Sequence, residues 1–232
     1  MIPWLDERRP AFPPTDQALT DPDGLLAAGG NLSVNTLVDA YRRGIFPWFN
    51  DDDPILWWSP NPRCVVFPDE IHISKSLKKT LRKQPFRITA DIDFPQVIDS
   101  CAQLRQDSEG TWITDEMYDA YIALHESGHA HSVEAWQGDE LVGGLYGIAI
   151  GRIFFGESMF SKATDSSKVA FVHLVQALSD AGFVMIDCQV ESPHLLSLGA
   201  RSIQRSDFRR FLPACDERPE KDPWQGLKDN ER

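Results

Sequence analysis

Three strand-length segments follow one another in the middle of the sequence, and they restrict the fold more than any other feature. The segments HAHSVEAW, ELVGGLYGIAI and RIFFGESMF are separated only by short turn signals, QGDE and GR. Connections this short join antiparallel neighbours, because a parallel pair needs a long crossover. The sequence therefore predicts a sheet that is mostly antiparallel at its centre.

Helical patterns surround these strands. They cover residues 94–104 and 115–127 before the strands, and residues 167–179 after them, where FVMIDCQV adds a further strand. Residues 1–62 are rich in Pro, Gly and Trp and hold one clear helix, with Ser33 as its N-cap and Gly44 just beyond its end. We expect an α+β protein with a small N-terminal domain (1–62) and a larger domain (63–232), whose acidic tail is disordered from about residue 216.

Charge and cysteine spacing limit the classes of function. The net charge is -12, which taken alone argues against nucleic acid as a partner. The four cysteines lie far apart without any CxxC, so we expect reduced thiols and neither a zinc site nor a disulfide framework. The first residues contain no apolar signal-peptide core, and no window resembles a membrane span. These features predict a cytoplasmic protein.

One segment runs against the overall acidity. The stretch IHISKSLKKTLRKQPFRITA contains no acidic residue, and its basic residues are Lys75, Lys78, Lys79, Arg82, Lys83 and Arg87. Three of them follow helical spacing, so a helix here carries a basic stripe beside Leu77 and Leu81. The stripe is either an ordinary solvated helix face or a surface that binds a phosphate backbone.

Two apparent motifs do not hold up. HESGH (125–129) matches the zinc-protease pattern H-E-x-x-H, which needs a continuous helix through both histidines. Gly128 is better explained as the residue that ends the helix, so His125 and His129 would not share a face. GGLYG and GRIFFG lack the spacing of either nucleotide-binding glycine motif. We therefore predict neither a metal nor a nucleotide cofactor.

The tryptophans at 48, 57, 58 and 112 lie in Pro- and Gly-rich segments, IFPWF, ILWWSP and GTWIT. Such loops usually pack their indoles against a sheet. The alternative is a platform on which a nucleotide base stacks.

Taken together, several segments resemble one known family. They are GLLAAGGNLSVNTLVDAYRRGIFPWF, PILWWSPNPR, GTWIT, LVGGLYG, FFGESMFS, DSSK, and IDCQ followed by HLLSLGA. In this order they are similar to the leucyl/phenylalanyl-tRNA–protein transferases. The resemblance implies a larger domain with the fold of the GCN5-related N-acetyltransferases. It implies transfer of Leu or Phe, and Met less well, from aminoacyl-tRNA to proteins that begin with Arg or Lys, which marks them for degradation. It implies no cofactor, and we expect a monomer.

The resemblance also implies site residues. Gln189 would accept a hydrogen bond from the attacking amine, and Asp187 would orient Gln189. The aminoacyl-adenosine end of the tRNA would contact Trp48, Trp112, Phe154, Gly156, Glu157 and Ser158. The donor side chain would lie against Leu145, Met159, Leu174 and Ile186. The tRNA backbone would contact Lys75, Lys78, Lys79, Arg82 and Lys83.

The chemistry of this reaction explains why the sequence has no nucleotide-binding or metal-binding motif. An aminoacyl ester is already activated, so its transfer needs orientation and proton management but no ATP and no covalent intermediate. A glutamine is no base, although its amide oxygen can align an amine. Without the resemblance, Asp187 is better explained as a carboxylate that backbone donors satisfy at a strand end. A coenzyme A-dependent acyltransferase and a noncatalytic RNA-binding module are the alternatives.

Overall fold

The computed structural model describes residues 2–106 and 113–228. Its N-terminal part is a four-stranded sheet in the order β1-β2-β4-β3. The strands are β1 (Trp4–Leu5), β2 (Leu25–Gly29), β3 (Phe46–Pro47) and β4 (Leu56–Trp58). Helix α1 (Val34–Arg42) begins after Ser33, whose side chain accepts the backbone N–H of Thr36. It ends before Gly44, at φ +73°, so both predicted helix ends are confirmed.

The second sheet has seven strands in the order β11-β5-β10-β9-β8-β7-β6. These are β5 (Arg63–Val66), β6 (Arg87–Ala90), β7 (Ala130–Gln137), β8 (Glu140–Ile150), β9 (Ile153–Ser161), β10 (Met185–Gln189) and β11 (Arg201–Ile203). All neighbours are antiparallel except β9 and β10. The predicted succession of three antiparallel strands, β7 to β9, is confirmed.

Helices cover both faces of this sheet. They are α2 (Lys75–Lys83), α3 (Phe94–Gln106), α4 (Asp115–Glu126), α5 (Ser166–Asp180), α6 (Pro193–Ser197), α7 (Arg205–Phe208) and α8 (Gln225–Lys228). Neighbouring residues of β9 point to opposite faces, so Phe155 packs in the apolar cluster that includes α3 and α4, and Phe154 packs in the cluster that includes α5. The α+β class is confirmed.

The two sheets share a buried apolar cluster. It joins Tyr41 and Trp57 from the N-terminal part to Phe155 and Phe208 from the C-terminal part. All strands of the small sheet precede residue 62 and all strands of the large sheet follow it. The division into two domains at that residue stays a prediction.

The acidic tail is not disordered as far as the structure describes it, so this expectation was wrong for residues 216–228. Trp224 and Leu227 are buried, and the indole of Trp224 stacks on His131 with ring centroids 4.1 Å apart. Lys228 pairs with Asp91 over 3.0 Å. Two apolar residues within a strongly charged segment are enough to anchor it, and average composition does not reveal them.

Candidate active site

A cavity of about 510 Å³ opens where β9 and β10 separate. Their parallel pairing ends at Phe155 and Asp187. Immediately beyond, β9 shifts register against β8 and β10 shifts register against β5. Bulges of this kind end the pairing of strands and redirect side chains. The cavity volume is within the range of about 300–1,000 Å³ that is typical of small-molecule sites.

One wall of the cavity is apolar. All four residues predicted to hold the donor side chain line it, together with Phe154. Leu145, Met159 and Ile186 come from three adjacent strands, β8, β9 and β10, and Leu174 comes from α5. These residues are therefore brought together by the sheet and by the helix packed on it.

The predicted contacts of the tRNA end are only partly assembled here. Gly156, Glu157 and Ser158 line the cavity. The Oγ atom of Ser158 is buried and has no hydrogen-bond partner among the described residues, which makes it available to a bound molecule. Trp48 does not line the cavity; it is 49% exposed, with its ring 5.4 Å from that of Trp58. Trp112 lies outside the described residues.

Gln189 and Glu157 face each other across the gap between the strands. The Gln189 side chain donates its Nε2–H to Glu157 Oε1 over 3.0 Å. The hydroxyl of Tyr41 donates to the same oxygen over 2.9 Å, and the hydroxyl of Tyr121 donates to Oε2 over 2.7 Å. Because Nε2 is held in this way, the Oε1 atom of Gln189 is left as an acceptor at the cavity.

Glu157 is a perturbed carboxyl group. The pKa of Glu157 is raised from 4.5 to about 7, mainly by burial and in smaller part by the nearby charge of Asp187, although the hydrogen bonds from Tyr121, Tyr41 and Gln189 lower it. Groups with such shifts are enriched at functional sites. The Glu157 carboxyl therefore titrates close to neutral pH.

Asp187 is buried and does not line the cavity. It pairs with Arg63 and accepts the backbone N–H of Gln189 at Oδ1 over 3.0 Å. It does not touch the Gln189 side-chain amide, which is bound by Glu157. Asp187 therefore contacts Gln189 through the backbone N–H, and its predicted role in orienting Gln189 stays a prediction.

Sequence reasoning missed three residues at this site: Tyr41, Tyr121 and Arg63. Tyr41 was assigned only to the apolar face of α1, and Tyr121 lies at a buried position of α4. A buried tyrosine needs a hydrogen-bond partner for its hydroxyl, and that requirement was the available signal. For Arg63, at the start of β5, the sequence offers no comparable signal.

The basic residues predicted to contact tRNA are confirmed to lie on a helix, α2, and all five are exposed. The helix is joined to the start of α5 by a hydrogen bond from Thr80 Oγ1 to Asp165 Oδ2 over 3.1 Å. Asp165 and Lys168 in turn line the cavity. A cationic surface therefore adjoins the cavity at the start of α5.

The zinc-protease pattern is not realised. Helix α4 ends at Glu126, and Gly128, at φ +76°, directs the chain into β7. His125 stacks on Phe94 at 4.3 Å, and its Nδ1 contacts the carbonyl oxygen of Ala130. Within residues 2–106 and 113–228, no group of three or more His, Cys, Asp or Glu side chains could hold a metal ion. In the same ranges, no helix is long and apolar enough to cross a membrane.

Comparison with known proteins decides the family. The model of the leucyl/phenylalanyl-tRNA protein transferase family matches residues 65–213, and the model of its N-terminal domain matches residues 30–61. The chain belongs to this family. The leucyl/phenylalanyl-tRNA–protein transferase of Pseudomonas fluorescens (strain Pf0-1) is 56% identical over 97% of this chain and 99% of its own length. That of Nitrosospira multiformis is 58% identical over 91% of each.

The network around Glu157 joins both matched segments of this transferase family. Tyr41 lies in the N-terminal segment, whereas Tyr121, Glu157 and Gln189 lie in the larger one. Among solved structures, L-PGS from Bacillus licheniformis gives a TM-score of 0.41 at 12% identity, covering 72% of this chain and 54% of its own. A likeness of that size assigns no finer fold.

Proposed function

We propose that this chain transfers leucine or phenylalanine, and methionine less well, from aminoacyl-tRNA to the α-amino group of proteins that begin with Arg or Lys. Transfer of this kind marks the acceptor for degradation and takes place in the cytoplasm. The observation that carries the proposal is the 56% identity to a leucyl/phenylalanyl-tRNA–protein transferase over 97% of the chain. The geometry of the cavity supports it in three ways.

First, the cavity suits an apolar donor side chain. Leu145, Met159, Leu174 and Ile186 offer a wall without charge, and Phe154 adds an aromatic surface. Burying a leucine or phenylalanine side chain against such a wall is worth about 1.5–3 kcal/mol. Valine and isoleucine differ from leucine in shape more than in hydrophobicity, so the wall discriminates by fit.

Second, the rim of the cavity suits aminolysis of an ester. The acceptor nitrogen attacks the ester carbonyl, a C–N bond forms, and the bond from the carbonyl carbon to the ribose oxygen breaks. The nitrogen loses a proton and the ribose oxygen gains one, so no other reactant is needed. An α-amine has a pKa of about 7.7–8.0, so a substantial minority is already neutral at pH 7.

Gln189 is the proposed contact to that amine. Its Oε1 accepts an N–H of the attacking nitrogen, which aligns the lone pair and stabilises the positive charge that grows on the nitrogen. Glu157 keeps the amide in this orientation, because it occupies Nε2. Asp187 keeps the backbone of Gln189 in place.

Third, the surface beside the cavity suits RNA. The exposed lysine and arginine side chains of α2 adjoin the start of α5, and Lys168 of α5 lines the cavity. We propose that the terminal adenosine enters beside α5 while the acceptor stem lies on α2. The larger sheet with α5 packed on it is proposed to be a GCN5-related N-acetyltransferase-like domain.

The test is direct. A peptide that begins with Arg is incubated with the protein and, in separate reactions, with leucyl-tRNA or with acetyl coenzyme A, and the mass of the peptide is measured. A gain of one leucine residue supports the proposal. Addition of an acetyl group from acetyl coenzyme A supports the alternative acyltransferase, and tRNA binding without any change of peptide mass supports the noncatalytic RNA-binding module.

A further inference from the structure

A buried ion pair lies directly behind the proposed active site. Arg63 Nε donates to Asp187 Oδ1 over 2.8 Å, and Nη2 donates to Oδ2 over 2.6 Å. The side chains are only 1% and 0% exposed. Arg63 opens β5, which pairs with β10 beside Asp187. The two-bond geometry fixes the direction of the carboxylate as well as its charge.

Stability alone is a weak explanation for this pair. Two charges lose their hydration when they are buried, and their attraction often does no more than offset that loss. The third nitrogen of the guanidinium group, Nη1, has no hydrogen-bond partner among the described residues. A buried donor without a partner makes the free energy of folding less favourable. The guanidinium carbon lies 4.8 Å from the ring centroid of Phe46 and 4.7 Å from that of Phe208, which holds the group in place.

The pair acts on one backbone position. Asp187 Oδ1, the oxygen that binds Arg63 Nε, also accepts the N–H of Gln189. Gln189 has a φ of +58°. Residues other than glycine adopt this left-handed backbone conformation when their surroundings hold them in it. This conformation occurs at the register shift between β10 and β5. It directs the Gln189 amide towards Glu157.

We propose that Arg63 is a positioning residue for aminoacyl transfer, which holds the Asp187 carboxylate so that this carboxylate keeps Gln189 in its left-handed backbone conformation. The inference rests on the proposed function, because it needs Gln189 to contact the reacting amine. Arg63 lies between the segments 30–61 and 65–213 that match the two family models, so neither match includes it. Among the described residues, the side-chain hydrogen bonds of Arg63 go only to Asp187, which does not line the cavity, so the proposed effect of Arg63 passes through Asp187.

The test compares Arg63→Ala with the wild-type protein, using leucyl-adenosine as donor so that salt effects on tRNA binding do not interfere. We expect kcat to fall roughly 100-fold, as for a reacting group displaced by about 1 Å, with the KM for the donor unchanged. Millimolar guanidinium chloride should restore part of kcat, because the ion fits the vacated site, whereas sodium chloride at the same concentration should not. Arg152→Ala is the matched control. The Arg152 side chain donates hydrogen bonds to Gly182 and Glu217, which lie outside the proposed active site. The kcat of Arg152→Ala should therefore stay at the wild-type value.

The second arm is a double mutant. In a Gln189→Ala background, Arg63→Ala should cost no further kcat, because Arg63 acts only through Gln189. If the two losses multiply, or if folded Arg63→Ala keeps the wild-type kcat, the inference is wrong. If Gln189→Ala alone keeps the wild-type kcat, the proposed role of Gln189 fails instead.

Arg63→Ala leaves the buried Asp187 carboxylate without its charged partner, so this variant has the highest risk of misfolding. Arg63→Lys therefore accompanies it, since lysine keeps the charge but cannot make the two parallel hydrogen bonds. Circular dichroism establishes which variant folds. For Arg63→Lys we expect a lower kcat at an unchanged donor KM in the Gln189 protein and no effect in the Gln189→Ala protein. If folded Arg63→Lys keeps the wild-type kcat in the Gln189 protein, or lowers kcat equally in both proteins, the proposal is overturned.

Discussion

Gln189 and Glu157 are joined by a hydrogen bond of 3.0 Å from Nε2 to Oε1 across the gap between β10 and β9. This contact decides which end of the Gln189 amide faces the cavity. With Nε2 bound to Glu157, the Oε1 atom remains for the amine of an acceptor. We therefore expect the protonation state of Glu157 to control whether the proposed active site presents an acceptor atom.

The first prediction is that acid inactivates the protein through Glu157. The pKa of Glu157 is raised to about 7, mainly by burial, so the carboxyl gains a proton as the pH falls through 7. A protonated carboxyl group carries an O–H donor, to which Gln189 can turn its Oε1, and the amide NH₂ then faces the amine. The transfer rate should therefore fall below pH 7.

The measurement is the ratio of the wild-type kcat to that of Glu157→Gln between pH 5.5 and 8.5, with one peptide as acceptor. Titration of the acceptor amine affects both proteins and cancels in the ratio. We expect a constant ratio above neutral pH and a decline of about tenfold per pH unit below it. A ratio that does not change with pH would show that protonation of Glu157 has no influence on the transfer.

The second prediction concerns Tyr121. Its hydroxyl donates to Glu157 Oε2 over 2.7 Å and lowers the pKa of Glu157, so its removal should raise that pKa. Tyr121→Phe should move the acid limb of the rate profile to higher pH and reduce the rate at pH 7 more than the rate at pH 8.5. Tyr118→Phe, on the same helix but outside the network, is the control and should retain the wild-type profile. Equal losses at both pH values in Tyr121→Phe would point to misfolding rather than titration.

Much of the fold followed from local patterns. The turns between β7, β8 and β9 defined three antiparallel neighbours, and the cap at Ser33 and the glycine at Gly44 defined α1. These features depend on residues close in sequence, which is why the sequence alone predicts them.

The hydrogen-bond network of the site depends on distant residues and could not be predicted in that way. Tyr41 and Glu157 are 116 positions apart, and Arg63 and Asp187 are 124 positions apart. Each of these pairs forms only after the two sheets pack or after strands distant in the chain become neighbours. Resemblance to the family supplied Glu157, Asp187 and Gln189 as site residues, but not the partners that hold them.

The third prediction concerns the basic face of α2. If its residues contact phosphates, Lys78→Ala with Lys79→Ala should weaken tRNA binding and reduce the slope of log affinity against log salt by roughly one unit per lost contact. Turnover of leucyl-adenosine should not change. Arg8→Ala with Arg9→Ala removes the same charge from an exposed pair outside α2 and serves as control. Should both double variants have the wild-type slope, the basic face would be an ordinary solvated one.

The fourth prediction concerns donor choice. Leu145 is 3% exposed and lines the cavity, so a larger side chain there takes space from the donor. Leu145→Phe should reduce transfer of phenylalanine more than transfer of leucine, by a factor that corresponds to about 1–3 kcal/mol. The two donors, compared by kcat/KM in the same preparation, serve as each other's control. Equal losses for both would show that Leu145 does not determine the fit of the donor.

The central claim is that Gln189 aligns the attacking amine, and the kcat of Gln189→Ala tests it most directly. The measurement uses leucyl-tRNA and an Arg-initiated peptide at pH 7, with kcat and both KM values determined for the wild-type protein and the variant. Loss of one positioned acceptor should lower kcat on the order of 100-fold and leave the KM for leucyl-tRNA unchanged, because the donor is bound by other residues. A folded Gln189→Ala protein that transfers leucine at the wild-type kcat would contradict the account.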